Sequence, residues 1–198
     1  MVRILIGAVL AFIVCLPMKA QADEVLEAIE QAVNFYKQGD FSGAAGNLDY
    51  AAQLVRQQKG GQLENFLPEA LSGWTATDAQ SSSMGAMFMG GGVSAERSYR
   101  KDGGDGRAKV AIFTDSPMLQ TVMMMFSNPM VAASSGAKLE TLAGQRTVVD
   151  YAPGENRGEI RVVVDNRILV TVEGQHVEKA DLVAYLEAID FQGLAKME

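Results

Sequence analysis

Between residues 24 and 58 apolar side chains recur at helical spacing, first Val25, Leu26, Ile29, Val33 and Tyr36, then Phe41, Ala44, Ala45, Leu48, Ala51, Ala52 and Val55. The interruption, Gln38-Gly39-Asp40, is a turn in which Gly39 closes one helix and Asp40 opens the next. Two antiparallel helices are expected. The stretch QQKGG at 57–61 reads as a polar, flexible connection, after which Leu63, Phe66, Leu67 and Leu71 lead into a second unit. Pro68 is expected to open a short helix that Gly73 ends before Trp74, the lone tryptophan, which is expected to pack at the junction of the two units. From there the period changes. Residues 93–101 and 107–114 read as strands joined by the turn-rich DGGDG. Residues 116–133 read as a helix with Pro117 in its first turn and Pro129 breaking it. Strands are expected at 138–142, 145–151, 159–165 and 167–173, the last two alternating through Ile160, Val162, Val164 and Ile168, Val170, Val172. A helix over 179–189 closes the chain.

This order predicts an α+β fold, an N-terminal α-helical hairpin followed by an antiparallel β-sheet packed with two helices. The boundaries are a leader at 1–22, the hairpin at 23–61 and an α+β sandwich domain at 62–198. Within the hairpin, FYKQGDFSGAAGNLDYAAQL places Tyr36, Gly39, Phe41, Ala44, Leu48 and Ala51 so that it resembles a single tetratricopeptide helix pair. That family stacks repeats of about 34 residues into a peptide-binding groove. One pair implies the helix packing and a partner surface without the groove. By element order alone, the remainder looks like the α/β sandwiches of the Mog1, PsbP and DcrB type. These are binding, assembly and auxiliary proteins, so the likeness implies a fold and not a chemistry.

The leader changes where such a protein would work. Arg3, an apolar run from Ile4 to Leu16, Pro17 and the small-residue site Ala20-Gln21-Ala22 before Asp23 form the three-part pattern of a secretory signal peptide. The run is shorter than the roughly 20 residues a membrane span needs. Phe12 and Val14 stand where a lipobox before Cys15 would carry leucine and a small residue, so lipidation is not expected. Cleavage after Ala22 would remove the only cysteine, leaving no disulfide and no thiol nucleophile. The expected location is periplasmic or secreted, with no transmembrane span after cleavage. With 24 acidic against 17 basic residues, a net charge of -7 and no basic cluster, the chain is a poor ligand for nucleic acid and for anionic lipid.

The candidate chemistry is sparse. His176, the only histidine, has Glu178 and Asp181 close by in sequence, which would suit an unrecognised hydrolase, yet no G-x-S-x-G turn precedes any serine. Asp115-Ser116-Pro117 has the composition of a helix cap. The glycine runs lack the Lys-Ser or Lys-Thr ending of a phosphate-binding loop. Eleven methionines remain, gathered mainly at Met84, Met87 and Met89 and at Met118, Met123, Met124, Met125 and Met130. Thioethers select Cu(I), and Met84, Met87 and Met89 have a spacing that would suit it. Met123 to Met125 point to different sides of a helix and cannot all share one site. Charges are absent between Asp78 and Glu96 and between Asp115 and Lys138, so both methionine-rich segments can contribute to one adaptable apolar surface. The expectation is a non-catalytic binding or assembly factor that contacts an envelope protein or apolar ligand through Met87, Phe88, Met89, Met123, Met124 and Phe126. No catalytic residue, cofactor or metal is assigned.

Overall fold

The computed structural model describes residues 18–82 and 92–197, and of residues 18–23 the backbone alone. The leader residues 1–17 with Cys15, and Met84, Met87, Phe88 and Met89, lie outside the described residues. The chain divides into two compact units, Met1–Leu54 and Val55–Glu198. Among the described residues no helix is long and apolar enough to cross a membrane.

The first unit is a helix pair. Helix α1 (Met18–Lys37) ends where Gly39 adopts φ +78°, a left-handed conformation that glycine reaches without a Cβ penalty. Helix α2 (Phe41–Glu64) begins at Asp40, whose carboxylate accepts from the Gly43 amide at 2.9 Å, the cap that the turn composition implied. The buried positions are mostly small: Ala28 and Ala32 on α1, Ala44 and Ala51 on α2, with Leu54. Small residues occupy most of the buried positions, and the larger apolar ones lie on other sides of the helices. Leu26, Ile29, Val33 and Tyr36 are consequently left outside.

The second unit is built on an eight-stranded sheet, antiparallel throughout, among the described residues. Its strands are β1 (Trp74–Ala76), β2 (Gln80–Ser82), β3 (Val93–Lys101), β4 (Arg107–Thr114), β5 (Lys138–Leu142), β6 (Gln145–Ala152), β7 (Arg157–Val164) and β8 (Ile168–Gln175). The order is β1-β3-β4-β8-β7-β6-β5, with β2 also on the free side of β3. Helices α3 (Met118–Ser127) and α4 (Pro129–Ser134) lie in the connection from β4 to β5, and α5 (Lys179–Glu187) and α6 (Phe191–Ala195) follow β8. Pro129 does break the helix, and Asn128 caps the new start by accepting from the Met130 amide at 3.1 Å.

Alternation along the strands produces two faces. One carries Ala95, Tyr99, Val110, Ile112, Ile160, Val162, Val170 and Val172 in a single cluster with Leu182, Tyr185, Leu186 and Leu194 from α5 and α6. A Cβ on Gly174 would fall 2.4 Å from Val177 and 2.5 Å from Leu182, so this bare backbone is what lets the chain from β8 fold down onto the sheet. On the other face Phe113, Val148, Val163 and Leu169 pack with Leu119, Val122, Met125 and Phe126 of α3.

Two expectations are overturned. QQKGG is helical, inside α2, because Gly60 is buried: a Cβ there would meet Ser81 at 2.9 Å and Val93 at 3.3 Å. Pro68 opens no helix; its carbonyl instead accepts from the Tyr99 hydroxyl at 2.7 Å and from Arg97 at 3.3 Å, bonds that hold the segment against β3. Trp74 is buried within the second unit, edge-on to Tyr185 at 5.3 Å.

The aromatic group has a consequence at alkaline pH. Burial pushes the Tyr185 phenol from 10.0 up to about 12 and moves Tyr99 in the same direction. Between those two values the folded chain holds protons that the unfolded chain releases, so stability is complete below pH 10 and falls as pH rises toward 12. Melting curves at about pH 9 and pH 11.5 are expected to show the fall, reduced in Tyr185→Phe.

Candidate functional site

The outer side of the helix pair carries the largest apolar display in the first unit. Leu26, Ile29, Val33 and Tyr36 follow a three-four-three spacing, the seam of a helix that meets another helix. On α2 Phe41 and Leu48 are seven apart. All six are between 39% and 66% exposed. At 3.6 residues per turn, the outer stripe lies about 100° around α1 and about 60° around α2 from the buried alanines, in the same rotational sense on both helices. The helices run in opposite directions, so the two stripes emerge on one side of the pair. Tyr36 and Phe41 join them at the tip, ring centroids 5.7 Å apart. The hydroxyl of Tyr50 on α2 bonds Glu24 near the start of α1, as the antiparallel arrangement requires. Between residues 24 and 54 the charge is one-sided: Glu24, Glu27, Glu30, Asp40 and Asp49 against Lys37 alone.

The expected methionine surface is only partly in view. On α3, Met124 is 59% exposed and Met123 is half-buried. Phe126 packs into the cluster beneath α3, with the Arg146 guanidinium 5.1 Å from its ring. Met118 and Met130 add exposed thioethers nearby. Met123 and Met125 are each more enclosed than Met124, in keeping with the different sides they occupy on the helix.

In the second unit α3 and α4 cover only part of the sheet's second face. The uncovered part holds two adjoining recesses of about 730 Å³ and 250 Å³ that share Glu173 and Gln175. Register sets their walls. Ser98, Lys109, Glu173, Glu159 and Asp150 form one row across the sheet, and Arg100, Arg107, Gln175 and Arg157 form the next. Lys109 stands 3.8 Å from Glu96 and 3.9 Å from Glu173. Burial pushes the Glu159 carboxyl above its ordinary value, aided by the nearby Glu173 and Asp150 and opposed by its pairing with Arg161. Sequence reasoning missed this surface: even flanking of DGGDG would set Lys101 opposite Arg107, whereas the register, offset by one residue, sets Arg100 there.

His176 is exposed and adopts φ 55° just after β8. Its Nδ1 lies 3.3 Å from Asp105, a different acid from the two its sequence suggested. Glu178 and Asp181 form the capping box of α5, and Asp181 also binds Lys101 at 2.9 Å. No hydroxyl is hydrogen-bonded to the imidazole among the described residues. His176→Asn, chosen because asparagine tolerates the left-handed backbone, is expected to cost less than about 1 kcal/mol and leave binding unchanged. A denaturation midpoint and a binding curve check both. No cluster of three or more His, Cys, Asp or Glu side chains is placed to hold a metal ion among the described residues.

Comparison with family models, curated proteins and solved structures finds no match. The functional reading therefore rests on the residues and their geometry.

Proposed function

We propose that this protein is a non-catalytic binding or assembly factor, periplasmic or secreted, whose helix pair takes up an amphipathic helix with basic flanks. One observation carries the reading: the pair buries alanines and turns six large apolar side chains outward on one side. Taking about 150–200 Å² per side chain, the exposed fractions amount to roughly 600 Å², the upper end of what monomeric proteins leave uncovered. The three-four-three spacing suits a helix, because knobs at those positions fit the holes of a facing helix. The net acidity of the helix pair, five carboxylates against one lysine between residues 24 and 54, favours lysine or arginine at the partner's flanks and opposes a second acidic copy. Met118, Met124 and Met130 supply a smaller accessible area to the same kind of role.

The test uses two labelled peptides of about 20 residues, or three heptads, with identical leucine and isoleucine seams, one flanked by lysine and one by glutamate. Fluorescence anisotropy with the full chain is expected to show saturable binding of the lysine-flanked peptide that weakens with salt, and at least about tenfold weaker binding of the other. Equal binding of both would remove the electrostatic part. Binding of neither would overturn the reading.

A further inference from the structure

We propose that the larger recess on the open face of the sheet is a binding site for a phosphoryl or sulfate group, with Arg100 and Arg107 as its two donor forks. The register places these arginines directly opposite each other on β3 and β4, and both line the recess. Like charges in that relation oppose sheet pairing. The chain has acids to spare, 24 against 17 bases, and uses them on the sheet's other arginines: Arg97 holds Glu69, Arg157 holds Glu155 and Arg161 holds Glu159. Arg146 lies over Phe126 and donates to its carbonyl. The side chains of Arg100 and Arg107 have no ion pair or hydrogen bond among the described residues, their backbones being paired in the sheet.

The acids of the adjoining turn are turned elsewhere. Asp102 accepts from the Thr75 hydroxyl at 2.8 Å, and Asp105 stands 3.3 Å from His176. Two guanidinium forks are thus left facing a concave space with the Ser98 hydroxyl and the Gln175 amide as further donors. Lys109, one row inward, is held only loosely at 3.8 Å and 3.9 Å and can turn toward an added anion.

The donor count selects the ligand. A carboxylate has two oxygens and is satisfied by one fork, whereas a tetrahedral oxyanion presents three or more and can engage both arginines at once. Glu173 on the far wall repels a second negative group, so the anionic end of the ligand is directed to the β3–β4 side. This site is independent of the helix pair, and its failure would leave that proposal standing.

The experiment is a titration of the isotopically labelled full chain with inorganic phosphate, sulfate and acetate at matched ionic strength, followed by NMR at the backbone amides of 98–109 and the arginine Nε–H groups. Phosphate and sulfate are expected to give saturable shifts centred on Arg100 and Arg107, with acetate at least about tenfold weaker. Raising the pH through about 6 to 7 should strengthen phosphate alone, since only phosphate gains charge there. That separates a phosphoryl from a sulfate preference. R100Q combined with R107Q should abolish the shifts while the melting temperature stays the same or rises. Non-saturating shifts, equal response to acetate, or shifts that survive in the double variant would overturn the proposal.

Discussion

Replacing Leu26 and Val33 together by glutamate is expected to weaken binding of the lysine-flanked helical peptide by at least about a hundredfold while the protein stays folded. Both positions are about half exposed, at 59% and 45%, so the substitutions remove little internal packing. Glutamate is a good helix former, and α1 keeps Ala28 and Ala32 against its partner. In the complex, however, two carboxylates would be buried in an apolar seam without partners, a cost of about 2–5 kcal/mol. Anisotropy for binding and circular dichroism for helix content read the two effects separately. A parallel loss of helix content would mean that these side chains support the pair itself.

The second large effect belongs to the sheet unit. Tyr185→Ala is expected to cost about 3–5 kcal/mol, the range for emptying a buried aromatic site. Tyr185 is fully buried, edge-on to Trp74 at 5.3 Å and 4.3 Å from the Tyr99 ring, so its loss uncouples α5 from β3 and from the segment around Trp74. The change is a large fraction of a typical domain's about 5–15 kcal/mol. Trp74 is the only tryptophan and lies in this unit, so its fluorescence reports the denaturant midpoint there. A midpoint unchanged by Tyr185→Ala would show that α5 does not hold the sheet's covered face.

Much of the frame was legible because alternation and turn chemistry agreed. Strands β3, β4 and β5 occupy the residues expected of them, and the antiparallel sheet with helices on it follows from their order. What escaped was set by tertiary neighbours. Strands β1 and β2 are three residues each, and Gln80, Ser81 and Ser82 carry no apolar alternation. Both exist because β3 offers a long free edge. Gly60 reads as a linker residue until Ser81 and Val93 are seen to need its missing side chain.

The helix pair shows the subtler limit. The sequence contains two interleaved stripes on α1, and size alone favours placing Leu26, Ile29 and Val33 inside. The fold reverses that order and buries Ala28 and Ala32 instead. The absence of charge from the methionine-rich segments pointed to an apolar surface there instead, of which Met87, Phe88 and Met89 lie outside the described residues and Phe126 is engaged in packing. The open recess was illegible for a different reason, since it depends on which strands lie side by side.

The most direct measurement of the central claim is hydrogen exchange of the full chain, read by mass spectrometry, with and without saturating lysine-flanked peptide. Added protection is expected in helix pair residues 24–54, with no change on α3 or in strands β3 and β4. Protection confined to α3, or none in the helix pair at saturation, would contradict it.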